Sequence, residues 1–164
     1  HKVTIGTHVG THIDAPAHML EDGKQLKEYT VERFVCDAIC IDVSSGIDED
    51  KIKNSVIEPG MAVLFYTGAS EYFMEEKYWH EYGVLDEKCC AELIKKKISM
   101  IGVDTGSVDK DDSFPVHKSL LNADILIIEN LTNLKTLVGR KFELVALPIK
   151  LENDAAPARV IARI

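Results

Sequence analysis

Three of the chain's six histidines, His8, His12 and His18, fall in the segment Thr7 to His18 together with Asp14. Histidine and aspartate are hydrophilic, yet here they are interleaved with Val9, Ile13 and Ala15. Imidazole and carboxylate groups gathered in one short stretch are the donor set of a divalent cation of borderline or hard character. The chemistry that offers itself is therefore metal ligation by nitrogen and oxygen.

The spacing constrains how such a site could form. His8 and His12 stand four residues apart, as do the two histidines on a zinc-protease helix. Gly10, Pro16 and the β-branched Thr, Val and Ile residues argue against a helix. The glutamate that follows the first histidine of those motifs is also missing. In an extended chain, His8, His12, Asp14 and His18 share one face. At about 3.3 Å per residue, the Cα atoms of His8 and His12 would be about 13 Å apart. That is too far for comfortable sharing of one cation through bonds of about 2.1 Å. The strand must bend, and Gly10 is the residue that permits it. Asp14 then joins from the same side, and Pro16 stiffens the path that carries His18 back.

The rest of the chain must supply the frame. Lys2 to Ile13 reads as extended structure with bends at Gly6 and Gly10. Strands are expected at Phe34–Val43, Met61–Thr67, Ile98–Val103, Ile125–Ile128, Phe142–Ile149 and Arg159–Ile164. Helices are expected at Asp48–Val56, Glu71–Tyr82 and Asp86–Lys97, with a helical turn at His117–Asn122. Strands alternate with helices in the middle and pair with one another at both ends. This order predicts an α/β domain over residues 1–164, built on a mixed β-sheet with flanking helices. No dinucleotide fingerprint and no P-loop lysine is present.

Composition excludes several classes. The chain has 164 residues, 19 basic and 27 acidic, for a net charge of −8. An acidic chain without a basic tract is a poor ligand for nucleic acid or an anionic membrane. Its apolar stretches, such as Ile125–Ile128, fall far short of the roughly 20 residues that cross a bilayer. Cys36, Cys40, Cys89 and Cys90 lack zinc-ribbon spacing and read as buried, reduced thiols of a cytoplasmic protein. The aromatic stretch Tyr72, Phe73, Tyr78, Trp79, Tyr82 is open to three roles: pocket lining for an aryl substrate, an oligomer interface, or core.

The pattern H-x-G-T-H-x-D-x-P-x-H, carried by His8, Gly10, Thr11, His12, Asp14, Pro16 and His18, resembles the signature of the cyclase family of metal-dependent hydrolases. That family includes bacterial kynurenine formamidase and isatin hydrolase. The resemblance continues through residues 101–109, 114–121, 126–134 and 142–151. It implies that His8 and His12 ligate a metal, that Asp14 and Glu129 bridge two metals, and that His117 ligates the second. It implies His18 as general acid/base. The cofactor implied is a pair of divalent ions, zinc or manganese. The fold implied is of the swivelling β/β/α kind, assembled as a homodimer or homotetramer. The family's segment before the motif, with a strand and a substrate-lining aromatic, is expected to be missing here, because His8 lies only seven residues in.

Two of these positions have support of their own. Glu129 ends the apolar run Ile125–Ile128, where a carboxylate is costly to bury alone and is relieved by cations. His117 by itself is as compatible with a simple hydrogen bond as with ligation. His80 lies in a charged segment and reads as surface. Asp104 and Asp109 read as turn or supporting residues.

The activity implied by the resemblance is hydrolysis of an aryl formamide or cyclic amide by a metal-bound hydroxide. The arylformamidase form converts N-formylkynurenine to kynurenine and formate, a step of tryptophan catabolism. Three alternatives stay open: an isatin-type lactam hydrolase, a non-catalytic family member that binds metal or ligand, and a structural zinc domain. The last would have one closed four-ligand site and would unfold without metal.

Overall fold

The computed structural model describes residues 1–164. Its elements in chain order are β1 (His12–Asp14), β2 (Val35–Asp42), α1 (Glu49–Asn54), β3 (Ala62–Tyr66), α2 (Lys77–His80), α3 (Glu87–Lys95), β4 (Met100–Val103), α4 (Pro115–Asn122), β5 (Leu126–Glu129), β6 (Lys141–Pro148) and β7 (Ala155–Arg163). The strands form one mixed sheet in the order β1-β5-β4-β3-β2-β6-β7, closed into a barrel by pairing of β7 with β1. Strands β2 to β5 run parallel, which requires crossovers, and α1, α3 and α4 lie within those connections. Strands β1, β6 and β7 join antiparallel. The expected α/β class and mixed sheet are present; closure of the sheet is an addition that no local pattern specifies.

Period-two alternation divides the apolar residues into two layers. Ile13, Ala62, Leu64, Met100, Leu126, Ile128, Phe142 and Leu144 fill the barrel interior. Val63, Phe65, Ile101, Val103 and Ile127 face outward and pack under Ile52, Cys89, Cys90, Leu93, Leu120 and Leu121 from the helices. Helices α1 and α3 start where Asp48 and Asp86 accept hydrogen bonds from the amides of Lys51 and Cys89.

Two expected elements differ. Residues 1–11 belong to no strand, and only His12–Asp14 pairs. The helix expected over Glu71–Tyr82 is broken into a 3-10 turn at Ala69–Tyr72 and the four-residue α2, with Met74 at φ 80° between them. A left-handed residue ends any helix. Only Tyr78 of that aromatic stretch is fully buried; Tyr72, Phe73 and Trp79 stay largely exposed, so no single face demanded one helix. All four cysteines are free, three of them buried and Cys36 half-buried. Burial pushes the Cys40 thiol up to about 12. No helix is long and apolar enough to cross a membrane.

The turn that carries His18, a 3-10 turn at Pro16–His18, rests against Gly23. A Cβ on Gly23 would lie 2.3 Å from the carbonyl carbon of Pro16 and 2.5 Å from the amide nitrogen of Ala17. Both are backbone atoms and cannot yield as a side chain can. Gly23→Ala is therefore expected to lower the unfolding free energy in urea by about 1–3 kcal/mol. A loss within the error of the measurement would show that residues 16–23 repack freely.

Candidate metal centre

Strand register begins the assembly. In the antiparallel pair of β1 with β5, Ile13 faces Ile128 and both point into the barrel. Alternation then turns His12 and Asp14 outward, and it turns Glu129, the register partner of His12, the same way. Helix α4 packs against β5 and brings His117 onto this outer face. The expected bend is at Gly10, which takes the left-handed φ of 61°, and the His8 and His12 rings end with centroids 5.2 Å apart. Pro16 opens the 3-10 turn that returns His18, whose ring centroid lies 4.1 Å from that of His8 and 5.7 Å from that of His117. All six residues singled out in the sequence, His8, His12, Asp14, His18, His117 and Glu129, thus meet at one place.

The inner part of this cluster is dry. Asp14 is 0% exposed, His12 2%, His117 3% and Glu129 5%. His8, an exposed residue, and the half-buried His18 stand at the rim, with side chains 32% and 25% exposed. Each inner imidazole has one nitrogen anchored and the other turned to the carboxylates. His12 Nδ1 lies 2.7 Å from the Gly10 carbonyl, and its Nε2 lies 3.5 Å from Asp14 Oδ1 and 3.4 Å from Glu129 Oε2. His117 Nδ1 lies 2.8 Å from Asp109 Oδ2, and its Nε2 lies 3.2 Å from Glu129 Oε1 and 3.7 Å from Asp14 Oδ2. His8 Nδ1 lies 2.9 Å from Asp14 Oδ1.

These approaches are close but mostly unaligned. Neither oxygen of Asp14, nor Nε2 of His12, takes part in a hydrogen bond, although all three atoms are buried. Buried polar atoms are nearly always satisfied, so a convergent set that is not calls for another partner. The donor atoms of His8, His12 and Asp14, and likewise of Asp14, His18 and His117, lie within 4.8 Å of one another. Imidazole nitrogens and carboxylate oxygens in this arrangement fit a divalent cation such as zinc or manganese.

A profile of the family described as putative cyclase matches residues 1–110. The kynurenine formamidase of Bacillus cytotoxicus is 35% identical over 99% of this chain and 78% of its own. The chain belongs to the putative cyclase family. Among solved structures, one titled a potential metal-dependent hydrolase with cyclase activity superposes with a TM-score of 0.86 at 32% identity, covering 98% of this chain and 81% of its own. Isatin hydrolase A from Ralstonia solanacearum superposes with a TM-score of 0.86 at 27% identity, covering 97% and 73%. The chain therefore shares its fold with these structures along nearly its whole length.

Two aspartates complete the surroundings of this cluster. Asp109 receives the amides of Val116 and His117 as well as the His117 ring, which fixes α4 and the ligand candidate together. Asp154, just before β7, lies 3.0 Å from His18 Nδ1 and 3.1 Å from His8 Nε2. Asp154 lies outside the motif stretches, which end at residue 151, and nothing in its local sequence marks it. Asp104 is fully buried but serves elsewhere, binding Thr67, Gly68 and Ser70. His80 is exposed.

The carboxylates make the imidazoles hold protons strongly. The neighbouring Asp14, acting against partial burial, raises His8 from 6.5 to about 9. Burial opposes charge on His117, but Asp109, Asp14 and Glu129 outweigh it and raise the ring to about 11. Burial would raise the Asp14 carboxyl, yet His117, His8 and His12 hold it well below its usual range. In the metal-free protein, stability from charged His8 is complete below about 6.5 and is lost as pH rises through about 9. Asp14 acts in the opposite sense, and its contribution is lost in strong acid. Calorimetry of chelator-treated protein is expected to show a Tm that is highest between about pH 4 and 6.5 and declines toward pH 9. Added zinc should raise Tm most at the alkaline end, where fewer protons must be displaced. A metal-free Tm that stays level from about pH 6 to 9 contradicts this assignment.

Proposed function

We propose that this protein is a metal-dependent hydrolase that cleaves an aryl formamide or a cyclic amide, acting in the manner of an arylformamidase on N-formylkynurenine. The observation that carries the reading is the fully buried Asp14 carboxylate, unaligned with any donor, among imidazoles that turn nitrogens toward it. Similarity to kynurenine formamidases along nearly the whole chain supports the choice of bond. Similarity to isatin hydrolase A supports a second reading, opening of a lactam.

In this reading two divalent cations, zinc or manganese, are held by His8, His12, Asp14, His117 and Glu129. The carboxylates divide their oxygens to suit. Asp14 Oδ1 lies toward His8 and His12 and Glu129 Oε2 toward His12, whereas Oδ2 and Oε1 lie toward His117. When bound, the cations supply Lewis acidity that polarises the substrate carbonyl and makes water a stronger nucleophile.

The chain's own groups do the rest. His18 sits at the half-exposed rim, with Nδ1 engaged by Asp154 and Nε2 left for proton transfer. It takes a proton from the attacking water and delivers it to the departing nitrogen, so that amide and water become carboxylate and amine. Asp109 holds the His117 ring while this occurs. A substrate of small-molecule size, a swivelling β/β/α form of the barrel and assembly into dimers or tetramers belong to the same reading.

The test measures metal content and hydrolysis of N-formylkynurenine and isatin together. His18→Ala should retain bound metal while kcat falls about 10²–10⁴-fold. Asp14→Asn should lose both metal and turnover, and chelation of the wild type should abolish turnover until zinc or manganese is restored. Parallel loss of metal and rate in His18→Ala would remove its acid/base role. Turnover that survives complete metal removal would end the proposal.

A further inference from the structure

Building on that reading, we propose that Asp154 is a positioning residue shared by His8 and His18, fixing through one carboxylate oxygen which nitrogen each imidazole presents to the site. Its Oδ2 meets His18 Nδ1 at 3.0 Å and His8 Nε2 at 3.1 Å, and both contacts have hydrogen-bond geometry. Those of Asp14 do not. The two rings lie with centroids 4.1 Å apart and planes 39° apart, so their edges converge on that single oxygen.

The consequence follows from the two nitrogens of imidazole. A carboxylate oxygen accepts, so each ring must place its N–H on the Asp154 side. His8 then presents Nδ1, the nitrogen 2.9 Å from Asp14, as a lone pair for a cation. His18 turns Nε2, the nitrogen not engaged by Asp154, toward the site. Asp109 does the same for His117, and the Gly10 carbonyl does it for His12. Asp154 differs in serving a ligand and the acid/base residue at once.

The backbone explains its aim. The Asp154 carbonyl accepts from the Ala15 amide at 2.8 Å, and the next residue, Ala155, pairs with Asp14 in the β1–β7 ladder. Asp154 is therefore anchored by its backbone to the segment between Asp14 and His18, which sets its carboxylate beside the two rings.

The experiment compares wild type and Asp154→Ala in three measurements. Zinc affinity is read by competition with a chromogenic chelator. The His18 tautomer in zinc-loaded, 15N-labelled protein is read from long-range proton–nitrogen correlations. Values of kcat and KM are taken with N-formylkynurenine and isatin. The expected result is zinc affinity weaker by about 10–100-fold, a His18 signal moving from the Nδ1–H form toward a mixture, and kcat lower by about 10–100-fold with KM little changed. Unchanged zinc affinity and an unchanged His18 tautomer in a folded variant would overturn the proposal. Should Asp154→Ala fail to fold, Asp154→Ser, which keeps a polar group but lacks the reach, gives the same readouts. A wild type that binds zinc yet hydrolyses neither amide defeats the proposed activity, while the affinity and tautomer measurements still decide the role of Asp154.

Discussion

A carboxylate without exposed surface cannot stay charged unless positive groups surround it, and Asp14 is such a carboxylate. An unpaired buried charge costs several kcal/mol, enough to consume a large part of the stability of a domain this size. His8, His12 and His117 are what make Asp14 tolerable. In the metal-free state they do so by holding protons, which is why His8 and His117 remain charged far above the ordinary imidazole range. The same nitrogens are the donors a cation needs, so proton and metal compete for one set of atoms.

That arrangement is inseparable from the way the barrel closes. Strand β1 has only three residues, yet it pairs with β5 on one side and β7 on the other. Ile13 points inward among the apolar residues of the interior, and its neighbours His12 and Asp14 point outward to α4 and Glu129. A slip of one residue would exchange these roles, exposing Ile13 and driving both polar groups into an apolar core. The burial energy of Ile13 thus also sets the register of the candidate ligands.

Much of this was legible because it is local. The bend at Gly10, the shared face of His12 and Asp14, and the return at Pro16 all follow from spacing and from the backbone habits of glycine and proline. Glu129 could be suspected from its place at the end of an apolar run. The aromatic segment 72–82 was harder, since its helical composition says nothing of the left-handed Met74 that divides it. Asp154 gave no signal at all: an aspartate in a polar turn looks the same whether it faces water or an imidazole.

By itself, then, the sequence determined a mixed α/β frame and a bent histidine–aspartate segment, because residues a few positions apart are brought together by a short covalent path. Only the tertiary structure decided that the sheet closes through β7 and β1, that His117 and Glu129 complete the cluster, and that Asp154 reaches His18 from 136 positions away. Those contacts depend on strand pairing between distant parts of the chain. The gain from such pairing is shared over the whole core and is not written in any one stretch of residues.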